Sequence, residues 1–154
     1  MSHRRGVTVA LASLALFAVS FAGPAASAAP AAFMANLRGG EREAPDLGDP
    51  DAKGSALIGV AVKRERVCWA IHVRNIELPA TAAHIHAGAR DVAGPVVVTL
   101  SPPDEAGVSA GYTEVTDRAL LKDVKQHPRR YYVNVHNEPY PGGALRGQLL
   151  PFHH

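Results

Sequence analysis

Short runs of strand-forming residues, broken up by glycine and proline, are the feature that most constrains the fold of this chain. Its 154 residues include 14 Gly and 12 Pro, which separate the apolar segments from one another. This pattern predicts antiparallel strands joined by turns, arranged as a β-sandwich or a β-barrel. Strands are expected at residues 33–38, 55–63, 67–74, 81–87, 95–100, 111–116, 130–136 and 144–150.

Two local patterns add detail to this all-β prediction. The run at 67–74 alternates apolar residues onto one face, as expected of a half-buried strand. The charged segment 63–66 before it is typical of a turn, so we expect a hairpin with the run at 55–63. A single short helix is expected at 118–126, because Asp117 stands where a side chain would cap its first turn.

The first residues of the chain have the composition of a secretory signal peptide, which we place at residues 1–28. Two adjacent arginines near the start are followed by an apolar run at 7–21 and by small residues at 26–28. We expect cleavage after Ala28 or Ala29, which gives a secreted or periplasmic protein with no later membrane span. The alternative is an uncleaved N-terminal anchor.

Charge and motif content exclude several functional classes. The formal net charge is +2, from 16 Lys+Arg against 14 Asp+Glu, and two of the arginines belong to the predicted leader. The rest is balanced, so composition gives no reason to expect a nucleic acid or an anionic membrane as partner. The single cysteine, Cys68, excludes an internal disulfide framework and a multi-cysteine zinc site. Esterase, phosphate-loop and dinucleotide motifs are absent, which favours a protein that is not an enzyme.

Three histidines occupy positions that favour a metal site. His84 and His86 are two residues apart on one predicted strand, so both side chains lie on the same face. His136 shares a strand face with Tyr132 and Asn134 in the run 130–136. If the two strands are neighbours, three imidazoles converge. Neutral imidazole is a preferred ligand of copper and zinc rather than of calcium or magnesium, and we favour copper.

Other interpretations of these residues remain open from the sequence. The histidines can instead form hydrogen bonds with Tyr132 or Asn134 and hold no metal. His72 is a possible fourth ligand, although a single histidine on the second face of a strand is usually half exposed. Arg146 either forms a salt bridge across the sheet or faces the histidines and an anion, and we favour the salt bridge.

Four segments in their order along the chain resemble the CHRD (chordin-type) domain family. They are AAHIHAG at 82–88, GPVV at 94–97, YVNVH at 132–136 and PGGALRGQL at 141–149. A weaker similarity at the start extends the expected domain to residues 32–151.

The resemblance implies an antiparallel Greek-key or immunoglobulin-like β-sandwich in a secreted protein. The family carries no established reaction that transfers to this chain, so we expect a non-enzymatic binding or structural module with a candidate copper (or zinc) site at His84, His86 and His136. Its partner would be an extracytoplasmic protein or a polysaccharide. The alternative is a small copper enzyme that acts on superoxide or another oxygen species. The residues that match the family pattern are His84, His86, Asn134, His136, Gly143, Arg146 and Gly147.

Overall fold

Residues 30–39 and 48–152 are described by a computed structural model, which contains nine strands and one α-helix in these ranges. The predicted signal peptide lies outside the described residues. The strands and helix are β1 (Ala31–Arg38), β2 (Lys53–Ala61), β3 (Arg66–Arg74), β4 (Ala82–Ala87), β5 (Val96–Leu100), β6 (Val108–Glu114), α1 (Arg118–Gln126), β7 (Tyr131–His136), β8 (Leu145–Gln148) and β9 (Leu150–Pro151).

The strands form one antiparallel sheet in the order β5-β4-β7-β8-β1-β2-β3-β6, and the short β9 pairs with β1. Twist brings the two ends of this sheet together. Side chains join them: Thr113 Oγ1 donates to the carbonyl of Thr99 at 2.8 Å, and Ser109 Oγ donates to the carbonyl of Ser101 at 2.7 Å. The sheet is therefore nearly a barrel. The all-β antiparallel class and the single short helix are confirmed, whereas the Greek-key, immunoglobulin-like sandwich is not.

The core lies inside this curved sheet and follows the strand alternation. On β3, the four apolar residues from Val67 to Val73 at every second position are buried. The predicted hairpin is confirmed, because β2 pairs with β3 and sets Ile58 opposite Trp69. Each large side chain buried in this way contributes roughly 1.5–3 kcal/mol. The alternation that fills the core also determines which residues face outward.

Helix α1 begins and ends where the sequence predicts. The Asp117 carboxylate accepts hydrogen bonds from the backbone N–H groups of Ala119 and Leu120 at 2.9 and 3.0 Å. Such a cap contributes about 1 kcal/mol. Leu121 and Val124 are buried in the core, so the helix is held by its apolar stripe.

Most strands begin and end within two residues of the prediction, and two differ more because of long-range pairing. β6 begins at Val108, three residues early, since Val108 aligns with His72 on β3. The predicted strand at 144–150 is two strands, because the Leu149 N–H donates to the carbonyl of Tyr131 while the next residue pairs with β1. No helix among the described residues is long and apolar enough to cross a membrane.

Candidate metal centre

The three predicted histidines meet on the outer face of the sheet. Strands β4 and β7 are neighbours, with Ala82 aligned to His136 and His84 aligned to Asn134. Ile85 points into the core, so His84 and His86 project to the other side, as expected. One ring nitrogen from each histidine lies within 4.8 Å of the other two, and this cluster can hold a metal ion.

Backbone carbonyls fix the tautomers of two of these rings. Nδ1 of His86 lies 2.8 Å from the carbonyl oxygen of Gly94, and Nδ1 of His136 lies 2.9 Å from that of Pro141. A carbonyl only accepts, so each Nδ1 carries the proton and each Nε2 keeps its lone pair. Carbonyl partners of this kind orient metal-binding histidines in known sites.

One of these lone pairs has no partner within the described part of the chain. Nε2 of His86 is buried and forms no hydrogen bond. A buried acceptor without a donor costs on the order of 1–3 kcal/mol, and such atoms usually have a functional explanation. A metal ion bound at this nitrogen would satisfy it.

The third ring completes the cluster through a contact between histidines. Nδ1 of His84 lies 3.2 Å from Nε2 of His136. The proton in this contact belongs to His84, because His136 already donates from its other nitrogen. A shift of that proton to Nε2 of the same ring would leave His84 a neutral imidazole that can ligate through Nδ1, together with Nε2 of the other two rings.

The surroundings favour the neutral, ligating form of all three rings. Burial lowers the pKa of His84, and the charges of His136 and His86 lower it further. Burial also lowers the pKa of His86, as does the charge of Arg146, against the opposing effect of the Gly94 hydrogen bond. For His136, burial lowers the pKa more than the hydrogen bond to Pro141 raises it.

Tyr132 and Arg146 form a stacked support beside the histidines. The ring of Tyr132 stacks on that of His86 with centroids 4.9 Å apart and planes 12° apart. The guanidinium carbon of Arg146 lies 3.3 Å from the centroid of the Tyr132 ring. A desolvated cation over an aromatic ring contributes about 2 kcal/mol. Both side chains are therefore packed into the site rather than displayed to solvent.

The expected salt bridge of Arg146 is not formed with any described residue. Its neighbours across the strands are Asn134 and Arg38, neither of them acidic, so the side chain turns toward the segment 88–94 instead. There it donates to the carbonyls of Val92 at 3.2 Å and Ala89 at 3.1 Å. Arg146 is only 3% exposed, and it holds this segment beside His86 and Tyr132.

The covering segment is the functional element that sequence reasoning missed. Besides holding His86 through its carbonyl, Gly94 donates from its N–H to the hydroxyl of Tyr132 at 3.1 Å. A Cβ at Gly94 would lie 1.6 Å from the carbonyl oxygen of Ala87, so only glycine allows this approach. Two signals were available: Gly94 precedes a proline, and it begins the segment GPVV of the family resemblance. Both mark a turn but not its path.

His72 and Asn134 are not among the three grouped ligands. His72 is exposed on β3, aligned with Ser55 and Val108, and is not part of the cluster. Asn134 is buried between His84 and Arg146 in the cross-strand alignment.

Fold and site thus define an all-β protein with three histidines gathered on the outer face of a curved sheet, where Gly94 holds His86 and Pro141 holds His136. The family model of the CHRD domain matches residues 33–149, and the chain belongs to this family. The matched range contains all three histidines, Arg146 and Gly94, and it confirms the resemblance. Comparison with curated proteins finds no match, and neither does comparison with solved structures.

Proposed function

We propose that this chain is an extracytoplasmic, non-enzymatic binding module that holds a copper ion through His84, His86 and His136. The observation that carries the proposal is the convergence of three ring nitrogens within 4.8 Å, two of them on rings whose other nitrogen is fixed by a backbone carbonyl. The carbonyl partners already hold these two rings in the tautomer that ligates through Nε2.

The donor set supports copper over other metals. All three ligands are neutral imidazoles, and the cluster includes no carboxylate or thiolate among the described residues. Calcium and magnesium prefer oxygen ligands, whereas imidazole suits copper, zinc, iron and nickel. Copper(II) forms the most stable complexes of the divalent first-row series, so copper is the first choice and zinc the second.

The location and partner follow from the leader and the family. Residues 1–28 have the sequence pattern of a signal peptide, and membership of the CHRD family is consistent with export. A small module of this type would act by binding an extracytoplasmic protein or polysaccharide. Intact-mass analysis of the exported protein should give a start at Ala29 or Pro30, and retention of Met1 would contradict the leader.

One observation favours the alternative of a copper enzyme acting on superoxide or another oxygen species. Three protein ligands leave a coordination position open, and His84 is only half-buried at the edge of the site. An assay of superoxide consumption by the copper-loaded protein tests this alternative directly. Turnover no faster than that of free copper would leave the binding module as the function.

The deciding experiment is a Cu(II) titration of the mature protein followed by electron paramagnetic resonance. The protein should lack His153 and His154, because two terminal histidines bind copper weakly on their own. We expect one ion per chain and a nitrogen-rich spectrum. The double variant His84→Ala/His86→Ala should lose at least about 100-fold in affinity, since loss of a ligand exceeds the usual effect of its supporting partners.

The matched control is His72→Ala, which removes an exposed histidine from the same sheet. It should bind copper as the parent protein does. Equal affinity in the double variant and in this control would overturn the three-histidine proposal.

A further inference from the structure

A cleft lies near β1, on the same outer face of the sheet as the three histidines. It has a volume of about 510 Å³ and contains no acidic side chain among the described residues that line it. Across neighbouring strands, His84 is aligned with Asn134, Asn134 with Arg146, and Arg146 with Arg38. Arg38, which lines the cleft, and His84 therefore lie at opposite ends of one row of aligned residues. The lining residues are Asn36, Arg38, Arg90, Arg129, Gln148 and Leu150.

The side chain of Gln148 connects, by hydrogen bonds, the two backbone segments that carry Arg90 and Arg129. Gln148 Nε2 donates to the carbonyl of Gly88 at 2.9 Å and to that of Arg129 at 2.8 Å. The Gly88 N–H in turn donates to the carbonyl of Arg130 at 2.7 Å. The loop that carries Arg90 and the turn that carries Arg129 are therefore held in fixed relation.

The positive charges in this cleft are not neutralised by described carboxylates. The ion pairs found in the described residues are Arg118 with Glu65 and His127 with Asp123. Asp91 follows Arg90 in the loop but does not line the cleft. Three guanidinium groups around one cavity repel one another, and a bound anion would relieve that repulsion.

We propose that this cleft binds a small multivalent oxyanion that carries phosphate or carboxylate groups. The planar guanidinium group matches both groups through paired N–H donors. The volume lies in the range of small-molecule sites, about 300–1,000 Å³, which exceeds the need of a single inorganic ion. The proposal is independent of copper, because none of the three histidines lines the cleft.

Calorimetric titration at low ionic strength tests the proposal with two probes, inorganic pyrophosphate and citrate. We expect saturable binding of one anion per chain. Arg38→Gln, Arg90→Gln and Arg129→Gln should each weaken it by about tenfold, the effect of losing one charge-assisted contact. All three side chains are exposed, so thermal unfolding should confirm that the variants remain folded. Tighter binding of pyrophosphate or of citrate would identify the phosphate or the carboxylate class.

Two controls keep the result specific to this cleft. Arg74→Gln removes the same charge from the exposed end of β3 and should leave the affinity unchanged. Both probes also bind copper, so the titration is repeated with His84→Ala/His86→Ala, which should bind the anion as the parent does. Absence of binding, equal losses in Arg74→Gln and the cleft variants, or dependence on the histidines alone would each overturn the proposal.

Discussion

Two regions on the outside of this curved sheet, one over β4, β7 and β8 and one over β2, β3 and β6, differ in what covers them. Over β4, β7 and β8, loop backbone lies on the sheet, and His86, Asn134 and Arg146 are buried beneath it. Over β2, β3 and β6 the outward residues are mostly small or apolar, and they are left open: Leu57 is 46% exposed and Tyr112 is 58% exposed. One sheet therefore carries a covered polar face and a bare apolar face.

The difference shows that the covering loop and the neighbouring strand give His86 surroundings that an outward position on a strand does not provide by itself. His72 on the bare face and His86 on the covered face both project outward from a strand. Only His86 receives a carbonyl partner, a stacked tyrosine and burial, all from or beneath the segment 88–94. Removing the cover should thus affect the metal site far more than any comparable change on the bare face.

The largest effect is expected from Arg146→Ala. It removes the cation stacked on Tyr132 and the guanidinium donor to the carbonyls of Val92 and Ala89, of which only the Ala89 carbonyl keeps another donor, the Val92 N–H. We expect a loss of about 3 kcal/mol in the free energy of unfolding, measured with urea. Copper affinity should fall by about tenfold, because the loop that orients His86 loses its anchor.

The matched change on the other side of the sheet is Arg74→Ala, at the exposed end of β3. Its effect on unfolding should stay within about 0.5 kcal/mol. Similar losses in the two variants would mean that Arg146 does not anchor the loop.

The next effect is expected from Gly94→Ala. Its Cβ would lie 1.6 Å from the carbonyl oxygen of Ala87, so the loop must move away from His86. We expect about 2 kcal/mol of destabilisation and at least about a tenfold loss of copper affinity. Gly59→Ala is the control on the bare face, where the nearest atom to the new Cβ is 3.7 Å away, an ordinary contact. If both alanines are tolerated equally, the close approach of the loop is not essential.

A smaller effect on stability is expected from removing the hydroxyl of the buried Tyr131 than from the two changes above. Tyr131 donates its hydroxyl proton to Asp123, and burial followed by that hydrogen bond raises its pKa from 10.0 to about 12. Because the folded pKa is the higher one, this contribution to stability is complete below pH 10 and is lost as pH rises from 10 to about 12. Tyr131→Phe should cost about 1 kcal/mol at neutral pH and reduce the alkaline loss of stability.

Urea unfolding at several pH values, with tyrosinate absorbance as a second signal, checks this prediction. Tyr112→Phe is the control, since Tyr112 is exposed and its ring contact with Arg66 survives the change. An unchanged alkaline profile in Tyr131→Phe would show that another group controls it.

Strand alternation was sufficient to predict which side chains share a face, and little else about the site. It placed His84 with His86 and Tyr132 with His136, because a period of two is a local property of the backbone. The pairing of β4 with β7 is a long-range fact, which the alternation of side chains left open. The path of the loop at 88–94 has no periodic signal, so the roles of Gly94 and Arg146 required the structure. The near-closure of the sheet also required the structure, because it depends on side-chain contacts between β6 and the segment of β5 and Ser101 at the opposite edge.

The smallest effect is expected on the bare face itself. Leu57→Thr changes an outward side chain that is already 46% exposed, so we expect less than about 0.5 kcal/mol of destabilisation. Its neighbour Ile58 is buried, and Ile58→Val, although the milder chemical change, should cost about 1 kcal/mol. Thermal unfolding of both variants over a range of protein concentrations makes the comparison. A larger loss of stability in Leu57→Thr that depends on protein concentration would mean that another copy of the chain covers this face in solution. The two faces would then differ in what covers them, a loop or a second chain, and not in whether they are covered.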